Sequence, residues 1–223
     1  MDDNLSQAIA QSGLSRERYL LADWQTRRLA HCYADLASST RYGLATTFFL
    51  SDIYGPTDFS QRDADGERIV VKMRSLLPKR AMAAIEEALH LNRLTLSLDT
   101  QLVHKLFNDM QVQTIDAVNY TAAYRLCDNY AQRCEQIRLV HELGRELDVV
   151  VKKQMVQLAL RLARGPAHLA GLGELQDFLE RGVAAFLHME GADYFLDTVR
   201  TRETALLERI YGGEVNPFAD FPR

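Results

Sequence analysis

The stretch whose reading decides the fold is Arg41–Asp63, RYGLATTFFLSDIYGPTDFSQRD. Tyr42, Ala45, Phe49 and Ile53 recur at the three-and-four spacing of a helix. Phe48 and Leu50 widen that stripe, which predicts a helix over 41–54 buried on most of its sides. Ser38, Ser39 and Thr40 precede it with hydroxyl oxygens suited to the orphan N–H groups of a helix start. Gly55-Pro56 follows it as a stop, the glycine free to turn left-handed and the proline unable to continue the helix. Ser60 and Asp63 then read as an acidic capping box, with Asp63, Asp65 and Glu67 placed where the next helix dipole favours negative charge. One residue resists this scheme. Asp52 stands in the last turn of a helix, where the dipole disfavours a carboxylate. Breaks in local consistency tend to mark strained or functional places. Arg41 and Arg62 are the cations expected to pair with it.

Outward from this stretch the helical period dominates, and strand patterning is nearly absent. A short helix is expected over 4–11 and a longer one from a Ser15 cap to about 37, with Leu21, Gln25, Leu29, Cys32 and Leu36 as its core stripe. Further helices are expected over 61–77, 79–107 and 115–141. Pro78 sits at the first turn of the second of these, where its missing N–H costs nothing. The most apolar segment, 145–163, reads as the central helix, closed by Gly165-Pro166. Two last helices fall over 174–189 and 192–211, and the tail EVNPFADFPR carries Phe218 and Phe221 as pins to the body. No linker or internal repeat divides the chain. The expectation is an all-α, single-domain helical bundle of about eight helices over 1–223, with 1–14 and 212–223 as peripheral termini.

Composition excludes more than it assigns. The chain has 223 residues, 47% of them apolar, and a formal net charge of −4, so nothing draws it globally to nucleic acid. No apolar run reaches the roughly 18 residues of a membrane span. The N-terminus MDDNLSQAIAQSG lacks the basic and apolar regions of a signal peptide. Three cysteines do not make a disulfide framework. The expected setting is cytoplasmic, with no nucleic-acid partner and no membrane partner.

Motifs for chemistry are sparse. Glu87-Ala88-Leu89-His90 is a single Glu-x-x-His, and a carboxylate di-iron bundle needs two. No metal and no cofactor are therefore expected. His31 lies near Trp24 on a second face of its helix and is a candidate pocket residue. Cys127 and Tyr130 are read as sharing a helix face, a pairing suited to nucleophilic chemistry. Tyr54 closes the decisive stretch beside Asp52. Glu203 falls inside the apolar stripe Ala192, Phe195, Val199, Leu206 and Ile210 of the last helix. A buried carboxylate is costly unless paired, so Glu203 is expected to face inward onto a cation, tyrosine or histidine. The candidate ligand-pocket residues are thus Asp52, Tyr54, His31, Trp24, Cys127, Tyr130 and Glu203.

The phrase FFLSDIYGPTDFSQRD, together with FLERGVAAFLHMEGADYFLDTVRTRETALLERIYGG, resembles a family of bacterial hypothetical proteins without an established activity. Helix count, length and the late Glu203 also resemble, at the level of architecture, the haem-oxygenase and thiaminase-II group. That resemblance implies a site between helices in the bundle interior. It departs in lacking a glycine-rich distal helix and in the short spacing of Cys127 to Tyr130. The leading functional expectation is a non-catalytic binding or regulatory protein, with a homodimer or protein partner and a small-molecule ligand both open to it. The alternative is an enzyme or small-molecule binder with a haem-oxygenase-like interior pocket.

Overall fold

The computed structural model describes residues 3–73 and 79–219. Ser15 caps α2 (Arg16–Cys32), its side chain accepting from the Arg18 N–H. α1 (Asp3–Ser12) precedes it, and α3 (Ala34–Ser38) follows after a kink at Tyr33. α4 (Gly43–Phe48) runs into a π-helical turn, Phe49–Ile53. α5 (Ser60–Met73) and α6 (Lys79–Val103) come next, and α6 also ends in a π-helical turn, His104–Asp109. α7 (Ala117–Leu126), α8 (Tyr130–Val151), α9 (Gln154–Leu169), α10 (Gly173–His188) and α11 (Asp193–Tyr211) complete the chain. The protein is an all-α single domain. Among the described residues there are eleven α-helices and no strand, against the about eight helices that periodicity implies.

The extra helices come from breaks that periodicity does not register. A helix over 115–141 is interrupted at Asp128, which takes a left-handed φ of 49°. The segment 145–163 is cut at Lys152-Lys153. Its first part belongs to α8, and Gly144 does not punctuate it. Instead Gly144 lets α8 and α11 approach, since a Cβ there would lie 2.4 Å from Leu196 Cδ2. The expectation of a central helix here is wrong. α9 buries none of its residues, and Met155, Leu158, Leu162 and Leu169 are exposed. It packs mainly on α10, and several of its apolar residues stay exposed, so apolar content does not make α9 an inner helix. Pro166 does not close it either. Arg164, Gly165 and Pro166 are exposed, and there the carbonyl that proline leaves unpaired can turn to water.

The helix of the decisive stretch is present but closes differently from expectation. Ser39 Oγ accepts from the N–H groups of Arg41 and Tyr42. Gly55 is not left-handed. It is needed because a Cβ would stand 2.3 Å from the Ser51 carbonyl oxygen. Arg62, stacked between the rings of Phe59 and Phe178, donates to the Asp52 carbonyl at 2.6 Å and so satisfies one of the helix's last acceptors. Asp58, not Ser60, supplies the side-chain acceptor at the start of α5. The reciprocal capping box of the chain is at Asp116 and Asn119. Pro78 lies outside the described residues, as does Phe221.

The core is in two parts. One joins the end of α2, α3 and α4 to α10 and the start of α11, around Cys32, Phe48, Phe186, Met189 and Leu196. The other joins the start of α2 to α6, α7 and the end of α11, around Trp24, Leu102, Leu106, Tyr120 and Ile210. Phe218 of the tail is seated in the second, edge-on to Trp24 at 5.5 Å. α8 and α11 pack along each other, and α11 contributes to both parts. Between the two parts lies polar material.

Candidate functional site: a cavity with charged wall residues between two apolar cores

The cavity has a volume of about 100 Å³. α2 supplies Gln25 and Arg28, with Tyr33 just beyond its end. The π-helical turn after α4 supplies Phe49 and Leu50, and Tyr54 follows it. Thr95 and Asp99 come from α6, Tyr120 and Tyr124 from α7, Arg133 and Gln136 from α8, and Glu203 from α11. A π-helical turn is rare and recurs at functional places. Here it widens the helix where two of its apolar side chains form a wall. Thr26 Oγ1 ties it to α2 by donating to the Tyr54 carbonyl at 2.6 Å.

At one end stands an ion pair. Arg28 Nη1 meets Glu203 Oε1 at 2.6 Å, and the Tyr33 hydroxyl donates to the same oxygen at 2.8 Å. Their side chains keep only 13% and 21% of their surface, so Glu203 is inward and paired. Burial pulls the Arg28 guanidinium down, but Glu203, Tyr120, Cys32 and Tyr33 together outweigh it and the net shift is well upward. Burial, then the Glu203 charge, pushes the Tyr33 hydroxyl far above the ordinary tyrosine range. The same two causes push Tyr54 up to about 12.

Elsewhere on the wall Arg133 and Asp99 act on each other's charge without forming an ion pair. Arg133 is 4% exposed. Among the described residues no carboxylate oxygen lies within salt-bridge distance of it. Its Nη1 donates to Gln136 Oε1 at 3.3 Å and its Nη2 to the Leu98 carbonyl at 3.5 Å, both long. Its guanidinium lies over the Tyr124 ring at 4.4 Å. Gln136 in turn donates to Thr95 Oγ1 at 2.9 Å. Asp99 accepts from Gln25 Nε2 at 3.1 Å. Burial raises the Asp99 carboxyl above its ordinary range, with Arg133 and the Gln25 bond drawing the other way. The Nε atoms of Arg28 and of Arg133 are both buried without a protein partner.

The candidate residues read from sequence divide sharply. Tyr54 and Glu203 are on the cavity wall. Trp24 is behind it, stacked on the wall residue Tyr120 with ring centroids 3.9 Å apart. His31 is exposed and does not line the cavity, because its helix turns that face to solvent. Asp52 is half-buried outside the cavity and paired with Arg181 at 2.6 Å, while Arg41 is spent on the Met189 carbonyl. Neither expected cation meets the Asp52 carboxylate, since Arg62 takes the backbone carbonyl instead. Cys127 ends α7 and Tyr130 begins α8, so they share no helix face. The Tyr130 hydroxyl bonds to Glu208, and burial raises the Cys127 thiol, which works against a nucleophilic thiolate. Buried Cys32 is pushed up to about 11 by burial.

Periodicity held signals for the residues it missed. Gln25 is a polar member of the α2 core stripe. Arg133 stands four, seven and eleven residues before Ile137, Val140 and Gly144, in register with the inner face of α8. Asp99 is four after Thr95 and three before Leu102 on α6. Each is a polar residue in an apolar row, the same anomaly that singles out Glu203. His90 is exposed, and no group of metal-ligating side chains occurs among the described residues. No helix among them is long and apolar enough to cross a membrane.

The family model described as a domain of unknown function, DUF8198, matches residues 4–217. The chain therefore belongs to that family. No curated protein matches the sequence, and no solved structure matches it.

Proposed function

We propose that this member of the family binds a small polar organic molecule in the cavity between its two cores. One observation carries the reading: the guanidiniums of Arg28 and Arg133 line that cavity, and Arg133, 4% exposed, has no carboxylate within salt-bridge distance among the described residues. An unmet buried donor costs about 1–3 kcal/mol, more when charged, and a binding partner recovers that cost. A bundle under selection for stability alone would close such a space with apolar side chains. The wall offers fixed donors, acceptors and ring faces, the usual inventory of a recognition site. The described wall carries no cysteine or serine, and Glu203 is committed to Arg28 and Tyr33. That supports binding over covalent catalysis. The volume suits a few heavy atoms and not a tetrapyrrole, because a 150 Å³ cavity holds about one benzene.

The test compares wild-type protein with Ile137→Trp, which fills the cavity from α8. Both are purified at low dilution, denatured, and their released small molecules analysed by mass spectrometry. A compound released near one equivalent from wild type and absent from the variant supports the reading. Identical extracts, with no small molecule raising the wild-type melting temperature above that of the variant, would reject it.

A further inference from the structure

We propose that the ligand is a small monocarboxylate, and that Arg133 is the residue that binds its charge. The inference rests on the cavity being a ligand site and assigns the chemical class that it takes. Arg28 already has its counter-charge in Glu203, at 2.6 Å. Arg133 is as deeply placed, and no carboxylate among the described residues lies within salt-bridge distance of it; it makes only two long bonds to neutral oxygens, although the Asp99 charge acts on it. A buried guanidinium without an anion is the costly half of an ion pair. Its planar fork is complementary to the two oxygens of a carboxylate, which accepts and never donates. Asp99 is the only other acid on the described wall, and it is held by Gln25. It makes no ion pair with Arg133, whose polar contacts are to Gln136 and Leu98. One buried cation outside any ion pair leaves a place for one negative charge. The rest of the acid then lies against the Tyr124 ring that backs the guanidinium. The cavity's about 100 Å³ admits a chain of about two to four carbons, scaled from a benzene in 150 Å³.

The experiment uses the full chain and three probes, propionate, propionamide and inorganic phosphate, at matched ionic strength. Binding is read by calorimetry and by the emission of Trp24, which stacks on the wall residue Tyr120. Propionate is expected to bind with a Kd no tighter than about 3 µM, the ceiling for five heavy atoms, and propionamide at least about tenfold more weakly. Arg133→Gln is expected to abolish the preference for the anion, and Arg133→Lys to keep part of it. Equal binding of propionate and propionamide would overturn the carboxylate assignment while leaving the cavity a ligand site. Phosphate binding more tightly than propionate would overturn it in favour of a tetrahedral anion. Binding of none of the three would overturn it outright, and the cavity reading would then stand or fall on the extract comparison. The comparison among probes needs only wild-type protein, so it decides the matter even if the Arg133 variants fail to fold.

Discussion

Glu203 and Asp99 are both acids in apolar rows, and their surroundings give them opposite behaviour. Glu203 has a guanidinium and a phenol on one oxygen. Glu203→Gln leaves Arg28 buried without its counter-charge, so unfolding in urea should show a loss of about 3 kcal/mol, the lower end for a broken buried pair because both side chains keep some surface. An unchanged midpoint would show that the pair does not hold the fold. Asp99 has its carboxyl raised by burial. A raised acid binds more protons folded than unfolded. Its contribution is therefore most favourable below the ordinary carboxylate range and is lost as pH rises through the raised value. Asp99→Asn removes that loss. The variant should gain on wild type in denaturant titrations between about pH 4 and pH 7, and a gain by wild type over the same interval would contradict the assignment. At this scale sequence reading succeeded with Glu203, where one carboxylate interrupts a clear stripe. It missed Arg133 and Asp99, because a lone charged residue within an apolar row is ordinarily read as a solvated one at the edge of the buried face.

Helices are legible as segments, but their ends and their depth are set by neighbours. Two glycines show this with the same substitution. Gly66 lies within α5, and a Cβ at that position would have nothing within 4 Å, so Gly66→Ala should stabilise by about 0.5–1 kcal/mol through helix propensity alone. Gly144 lies within α8, where the same Cβ would meet the buried Leu196 side chain at 2.4 Å. There the overpacking cost of about 1–3 kcal/mol outweighs the propensity gain, and Gly144→Ala should destabilise. Opposite shifts in the two denaturation midpoints are expected, and a gain at both positions would show that α8 and α11 are not in close contact. The α9 error has the same origin. Apolar content foretold a helix correctly, but whether that helix is inner or outer depends on which elements reach its second face.

Over the whole molecule, two apolar clusters hold the bundle on either side of a cavity with charged wall residues, and the tail completes the second of them. Phe218 is edge-on to Trp24 and 6.3 Å from the ring of Tyr120. Phe218→Ala should cost about 3 kcal/mol or more for a buried aromatic and shift Trp24 emission to the red as water reaches its ring. Emission unchanged from wild type would show that the tail does not seal this core.

The all-α class, the order of the helices and the anomaly at Glu203 are properties of the sequence by itself. They rest on local period, caps and breakers, which act within a few residues along the chain. The cavity belongs to the tertiary structure. Arg28 and Glu203 are 175 residues apart, and Gln25 and Asp99 are 74 apart. No local rule couples such positions. They meet because α2, α6, α8 and α11 bury their apolar rows against one another, and that packing forces the polar members of those rows to face a common space.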